Sequence, residues 1–187
     1  MEIKVITKKC IRTLKRAVEV IPRSLMSLEM LANESEHEFN VTLAIVAIIK
    51  NEGEYIEEWV KYHLLVGVER IYLYDNGSDD NTKDVLEPFI KNGSVVYAPY
   101  PGTGMQFRAY NDAIRKHKNE CEYIAFIDAD EFLMPVKQGQ NLTEVVKRIM
   151  GAYPKASGLA VNWRMFGSSG HIQKPAGGGI GKLPLAC

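Results

Sequence analysis

The residues with the most chemistry to offer lie in YIAFIDADEFL, positions 123–133. An apolar run ends in Asp128-Ala129-Asp130, and Glu131 follows directly. Carboxylates two residues apart share a face if a strand continues, and both can reach one ion if the chain turns there. Hard oxygen donors of this kind suit Mg²⁺ or Mn²⁺, which keep coordination positions open for a diphosphate. An ion so placed would offset the charge that builds on a leaving phosphate. The same tripeptide also serves as a helix cap or a solvated turn. Its position directly after IAFI, at the end of what reads as a buried strand, favours the ligand reading.

Two more polar clusters close apolar runs. Lys50-Asn51-Glu52 follows VTLAIVAII, and Asp75-Asn76-Gly77-Ser78-Asp79 follows RIYLY. Asp75 could accept hydrogen bonds from a nucleobase or ribose, but Asp-Asn-Gly-Ser is also turn chemistry, and one tight loop can serve both ends. Asn51 and Glu52 read either as the cap of the next helix or as groups facing a ligand. Arg108, close behind Gly102-Thr103-Gly104, reads either as a phosphate contact or as a surface arginine.

The elements that must position these groups follow from hydrophobic period and breakers. Val41–Ile49 is apolar on nearly every residue, the pattern of a strand buried on both faces. Tyr55, Ile56, Trp59, Val60, His63 and Leu64 fall at helical spacing, predicting a helix over 54–65 that Gly67 ends. Strands are predicted over 70–74, 94–98 and 123–127, and helices over 82–90 and 106–117. A helix over 142–150 and a strand over 158–163 follow, and no period runs through 176–187. Strands alternating with helices predict a mainly parallel sheet with helices on both faces. Ligands of such sheets sit at the carboxyl ends of the strands, where all three polar clusters should converge.

Composition bounds the rest. A chain of 187 residues fits one domain, with a compact part over 41–175, a leader and linker over 1–40 and an irregular tail over 176–187. The formal net charge of zero gives no electrostatic footprint for nucleic acid. Cys10, Cys121 and Cys187 are far apart, without metal or redox spacing, which fits a reducing, cytoplasmic setting. Lys4, Lys8, Lys9, Arg12, Lys15, Arg16 and Arg23 make the opening basic, so it reads as a solvated leader or as a peripheral contact with the inner face of a membrane.

With these clusters in place, the chain resembles a known family. IIKNEGEYIEEWVKYHLLVGVERIYLYDNGSDDNT resembles the start of the family 92 glycosyltransferases and their bacterial relatives, grouped near family 2. YIAFIDADEFL resembles the family's metal-binding Asp-x-Asp strand, and NWRMFGSSGHIQKP, residues 162–175, the block that follows. The resemblance covers roughly residues 41–175. It implies a GT-A (Rossmann-like) fold, a nucleotide-sugar donor (by family habit a UDP-sugar), Mn²⁺ or Mg²⁺, and a glycan or lipid-linked acceptor. Lys50, Asn51 and Glu52 would border the nucleotide. Asp75 would hold the base, with Asn76 and Ser78 shaping its loop. Asp128 would serve the ribose side and, with Asp130, the metal and diphosphate; Asp130 is the preferred direct ligand. Trp163, Phe166 and Gly167–His171 would line the sugar or acceptor side. The implied reaction is inverting transfer, in which a base takes the acceptor hydroxyl proton.

The chain also departs from that pattern. No Asp or Glu follows Glu144, which leaves His171 as the candidate base beyond the Asp-x-Asp. Glu131 is the other carboxylate in reach, close to the expected metal. Relatives continue further on the acceptor side, whereas here the resemblance fades into PAGGGIGKLPLAC, so turnover is in more doubt than nucleotide binding. The alternatives are an inactive relative that still binds nucleotide sugar and an unrelated α/β binding module. A receiver-like module would need an aspartate after the third strand, where Ala98-Pro99-Tyr100 stands.

Overall fold

A computed structural model of the chain describes residues 3–7 by their backbone, and residues 38–137, 139–162 and 164 in full. In chain order the elements are β1 Ile3–Thr7, β2 Val41–Ile49, α1 Ile56–Leu65, β3 Arg70–Asp75, α2 Thr82–Lys91, β4 Val95–Pro99, α3 Gln106–His117, β5 Cys121–Phe126, α4 Leu142–Ala152 and β6 Gly158–Val161. They build one six-stranded sheet in the order β4-β3-β2-β5-β1-β6. The pairs β2–β3, β2–β5 and β3–β4 are parallel. β1 runs antiparallel to both β5 and β6. The mainly parallel α/β sheet expected from the sequence is therefore present, with one reversed strand.

β2 is the centre, and its alternate residues serve two cores. Leu43, Ile45, Ala47 and Ile49 pack with Ile56, Trp59 and Val60 of α1, Leu86 of α2, and Leu142, Val146 and Met150 of α4. Ala44 and Val46 pack on the other side with Tyr72 and Tyr74 of β3 and Ala109 and Ala113 of α3. A strand covered on both sides cannot alternate polar with apolar, which is why VTLAIVAII reads as it does. Each fully buried Leu or Ile contributes about 2 kcal/mol.

The handedness of the connections places the helices. The chain steps outward from β2 to β3 to β4 with α1 and α2 on one face, then crosses back over the sheet through α3 on the other face to reach β5. Right-handed crossovers require this change of face when the direction of travel reverses. The reversal leaves a switch point between the carboxyl ends of β2 and β5. Ile49 is level with Asp75 across the β2–β3 pair, and Val46 with Phe126 across β2–β5. All three polar clusters thus reach the same edge.

Element bounds agree with the sequence to within about two residues. The exception is Ile3–Thr7, which falls within the predicted leader and forms a strand in the sheet. IKVIT is mostly β-branched, a strand-forming composition that the surrounding lysines and arginines obscured. The remainder of the predicted leader and linker, residues 8–37, lies outside the described residues, as does the predicted tail.

Candidate functional site

At the switch point a cleft of about 370 Å³ is lined by Ile48, Ile49, Lys50, Glu52, Asn76, Gly104, Met105 and Gln106. That volume lies within the range of small-molecule sites. Three connections meet there, and side-chain to backbone hydrogen bonds tie them together. Asn51 N–H donates to Ser78 Oγ (2.9 Å), and Asp79 N–H donates to Asn51 Oδ1 (2.9 Å). Glu52 N–H donates to Thr82 Oγ1 (2.9 Å), and Gly53 N–H to Asp80 Oδ2 (3.0 Å). Gly102 N–H donates to Asn76 Oδ1 (2.8 Å), which ties the β4–α3 loop to the same knot. Asn51 adopts a left-handed backbone (φ 57°), a conformation that asparagine tolerates better than most residues.

Asp75 is the anchor of this knot. It is 3% exposed. Its Oδ1 accepts from Ser78 N–H and Ser78 Oγ–H (both 2.8 Å), and its Oδ2 accepts from Tyr97 Oη–H. The turn chemistry of Asp-Asn-Gly-Ser is thus realised, and the carboxylate's main partners are inside the protein. Burial, and then Asp75 itself, hold the Tyr97 phenol well above its ordinary pKa, so it remains a donor.

Lys50, Glu52 and Asn76 line the cleft itself. Glu52 has its pKa raised, first by burial and then by the charges of Asp130 and Asp80. That places Glu52 within electrostatic reach of Asp130, so the first and third polar clusters lie on the same side of the sheet edge.

The third cluster is a tight turn closed by Glu131. Glu131 N–H donates to the Asp128 carbonyl (3.1 Å), and Asp128 N–H donates to Glu131 Oε2 (3.3 Å). Asp128 is half-buried and Asp130 exposed. Glu131 is 9% exposed, and its Oε1 has no partner among the described residues. Burial, followed by Asp128 and Asp130, raises its pKa even though the Asp128 N–H opposes the shift.

Asp128 is held from α3. Gln106 Nε2–H donates to its Oδ1 (3.1 Å) and to Tyr110 Oη (3.2 Å). Tyr110 Oη lies 3.5 Å from the same carboxylate oxygen. Burial, more than any neighbour, raises the Tyr110 pKa and keeps it a donor. Neither residue was singled out from sequence. Their signal was an i, i+4 pair opening the helix that follows the glycine loop. Arg108, which was singled out, is exposed and lies roughly 200° around α3 from Gln106. The structure therefore does not bring Arg108 to the Asp128 side. His171, Trp163, Phe166 and Gly167 lie outside the described residues.

Asp128 and Asp130 offer hard oxygen donors at an accessible turn, beside a partly buried Glu52 and an unsatisfied Glu131 oxygen. No group of three or more metal-ligating side chains occurs among the described residues. Two carboxylates fit Mg²⁺ or Mn²⁺ when substrate phosphates and water complete the shell. The donor set matches that mode of binding and does not form an all-protein cage.

Residues 37–183 match Glycosyltransferase family 92. The chain belongs to this family. Among family 92 relatives, one protein from Ricinus communis is 32% identical over 149 residues, covering 79% of this chain and 26% of its own length. One from Oryza sativa subsp. japonica is 28% identical over 172 residues, covering 90% of this chain and 29% of its own length. A beta-1,4-galactosyltransferase of Caenorhabditis elegans is 26% identical over 146 residues, covering 72% of this chain and 34% of its own length. The family 92 chain described here thus spans about a quarter to a third of these relatives. Among solved structures, S. aureus TarS 1-349 in complex with UDP overlaps 60% of this chain and 33% of its own, at 17% identity and a TM-score of 0.48.

Proposed function

We propose that this family 92 chain forms the donor side of a metal-dependent glycosyltransferase, which moves a sugar from a UDP-sugar to a hydroxyl of a glycan or lipid-linked acceptor with inversion. One observation carries the reading. In a family 92 chain, the polar ends of β2 and β3 line a cleft beside the switch point, and two residues of that lining reach the turn after β5: Gln106 donates to Asp128, and Glu52 feels the charge of Asp130.

In this reading Lys50, Glu52 and Asn76 border the nucleotide. The loop that Asp75, Ser78 and Asn51 hold shut shapes the wall of its site. Asp128 and Asp130 hold Mn²⁺ or Mg²⁺, and Gln106 and Tyr110 orient Asp128. When bound, the cation neutralises the charge of the departing diphosphate. The acceptor oxygen forms its bond to the anomeric carbon as the bond to the diphosphate breaks, and His171 takes the hydroxyl proton. Glu131 is a poorer base, because one oxygen already closes the turn and the side chain is mostly buried. The basic opening of the chain would favour the inner face of a membrane. Among the described residues no helix is long and apolar enough to cross one.

The first test is calorimetric titration with UDP, with and without Mn²⁺. Mn²⁺ should tighten binding, and Asp128→Asn with Asp130→Asn should remove that gain, about tenfold or more, while the chain stays folded. Unchanged metal response in the double variant would sink the assignment of these two aspartates. Transfer or hydrolysis of a UDP-sugar then separates an enzyme from a binding relative. In an active enzyme, His171→Ala should lose transfer while keeping UDP binding.

A further inference from the structure

We propose that α1 carries a clamp that sets the shape of the Asp128–Asp130 turn: Trp59 and His63 act as positioning residues for cation and diphosphate binding without touching either ligand. This rests on the donor-site reading above.

Both side chains are fully buried. They stand at i and i+4, with Tyr62 between them on the same helical face. Trp59 Nε1–H donates to the Glu131 carbonyl (2.7 Å). His63 Nδ1–H donates to the Trp59 carbonyl one turn back (2.9 Å). That bond leaves Nε2 as an acceptor, and Leu133 N–H donates to it (3.2 Å). Tyr62 Oη–H donates to the Leu133 carbonyl (3.3 Å). The Phe132 ring stacks on His63 at 5.7 Å and 6° between planes, and meets Tyr62 edge-on at 5.3 Å.

Residues 131–133 belong to no strand or helix, so no ladder satisfies their backbone. Buried N–H and C=O groups there need side-chain partners. α1 supplies one to the Glu131 carbonyl, one to the Leu133 N–H and one to the Leu133 carbonyl. The Asp-x-Asp turn is therefore fixed at both ends, by β5 before it and by α1 after it. Packing alone would not call for an imidazole at position 63, since an apolar ring fills such a space without desolvating two nitrogens. Neutral histidine provides the donor and the acceptor together on one rigid ring, a pair that an apolar ring lacks and that a glutamine amide can approximate.

The test compares His63→Leu, which removes the acceptor, with His63→Gln, whose amide oxygen can replace Nε2. Trp59→Phe removes the indole donor and keeps a ring. Hydrogen exchange is followed in two segments of the full chain, 128–134 and β5, and UDP affinity is measured with and without Mn²⁺. In His63→Leu and Trp59→Phe, exchange over 128–134 should speed by about tenfold while β5 stays protected, as expected for one lost hydrogen bond. The Mn²⁺-dependent gain in UDP affinity should fall by a similar factor, and His63→Gln should keep both within about threefold of wild type. The clamp is overturned if 128–134 stays protected in His63→Leu, if His63→Gln is as perturbed as His63→Leu, or if exchange rises with no change in the Mn²⁺ gain. Should the wild-type chain itself show no Mn²⁺-dependent UDP binding, the donor-site reading fails and takes the ligand clause with it. The exchange data then still decide whether α1 holds the turn.

Discussion

Asp75 and His63 show how burial decides what a polar side chain does. Asp75 reads from sequence as either a ligand acceptor or a turn former, and three internal donors make it the anchor of a loop. His63 reads as one position of an apolar helical stripe, yet both its nitrogens are engaged. Burial lowers its pKa from 6.5 to about 4, and only the hydrogen bond to Trp59 opposes the shift. Because the folded pKa is depressed, the neutral ring's contribution is complete above pH 6.5 and is lost as pH falls from 6.5 toward 4, where the unfolded chain binds the proton first. The full displacement corresponds to about 3 kcal/mol, of which about 2 kcal/mol should be gone at pH 5. Urea unfolding of wild type and His63→Gln at pH 7.5 and 5 checks this: the wild type should lose that much more than the variant. Equal losses would show that His63 does not titrate with unfolding.

The elements were legible because each carries its own period and its own stop signal. Their faces were not. The bounds of α3 agree with expectation, but the sequence offers Arg108 as a phosphate contact or a surface arginine and does not single out Gln106 and Tyr110, since only the packing of Ala109 and Ala113 on the sheet settles which side meets Asp128. The junction of α1 with α4 makes a second case. Gly67 follows α1 with φ +106°, and a β-carbon there would lie 2.4 Å from the side chain of Asn141. Asn141 caps α4 by accepting from Glu144 N–H (3.1 Å). Leu142 N–H donates to the Val66 carbonyl (2.7 Å), and Thr143 Oγ1–H donates to the Gly67 carbonyl. Gly67→Ala should therefore cost about 2 kcal/mol, about 1 kcal/mol from the backbone and about 1 kcal/mol from the disturbed cap. Gly93→Ala is the control: its φ is +78° with nothing within 4 Å of the added carbon. It should cost only the backbone part, about 1 kcal/mol. Equal midpoints for the two variants in urea would show that the cap contact carries no weight.

For the whole molecule, the reversal of strand order is what makes a site. Polar clusters more than twenty residues apart in sequence meet because β2 has β3 on one side and β5 on the other. β1 extends the same sheet, pairing Lys4–Thr7 with β5 and Ile3–Ile6 with β6. Removing residues 1–8 should detach β6 from the sheet, so amides of 158–161 exchange freely while those of 70–75 stay protected. Protection over 158–161 in the shortened chain would show that β6 does not depend on β1. The amino-acid sequence by itself determined the alternation of strands and helices, the buried character of β2, and the three polar clusters at strand ends, because period, breakers and composition act over a few residues. Motif order pointed in the same way to the family. Only the tertiary structure decided that Asp75 is walled in by Ser78 and Tyr97, that Gln106 and Tyr110 hold Asp128, and that α1 grips the turn behind Asp130. Those outcomes depend on which groups lose water together, and distant segments settle that only when the sheet brings them into contact.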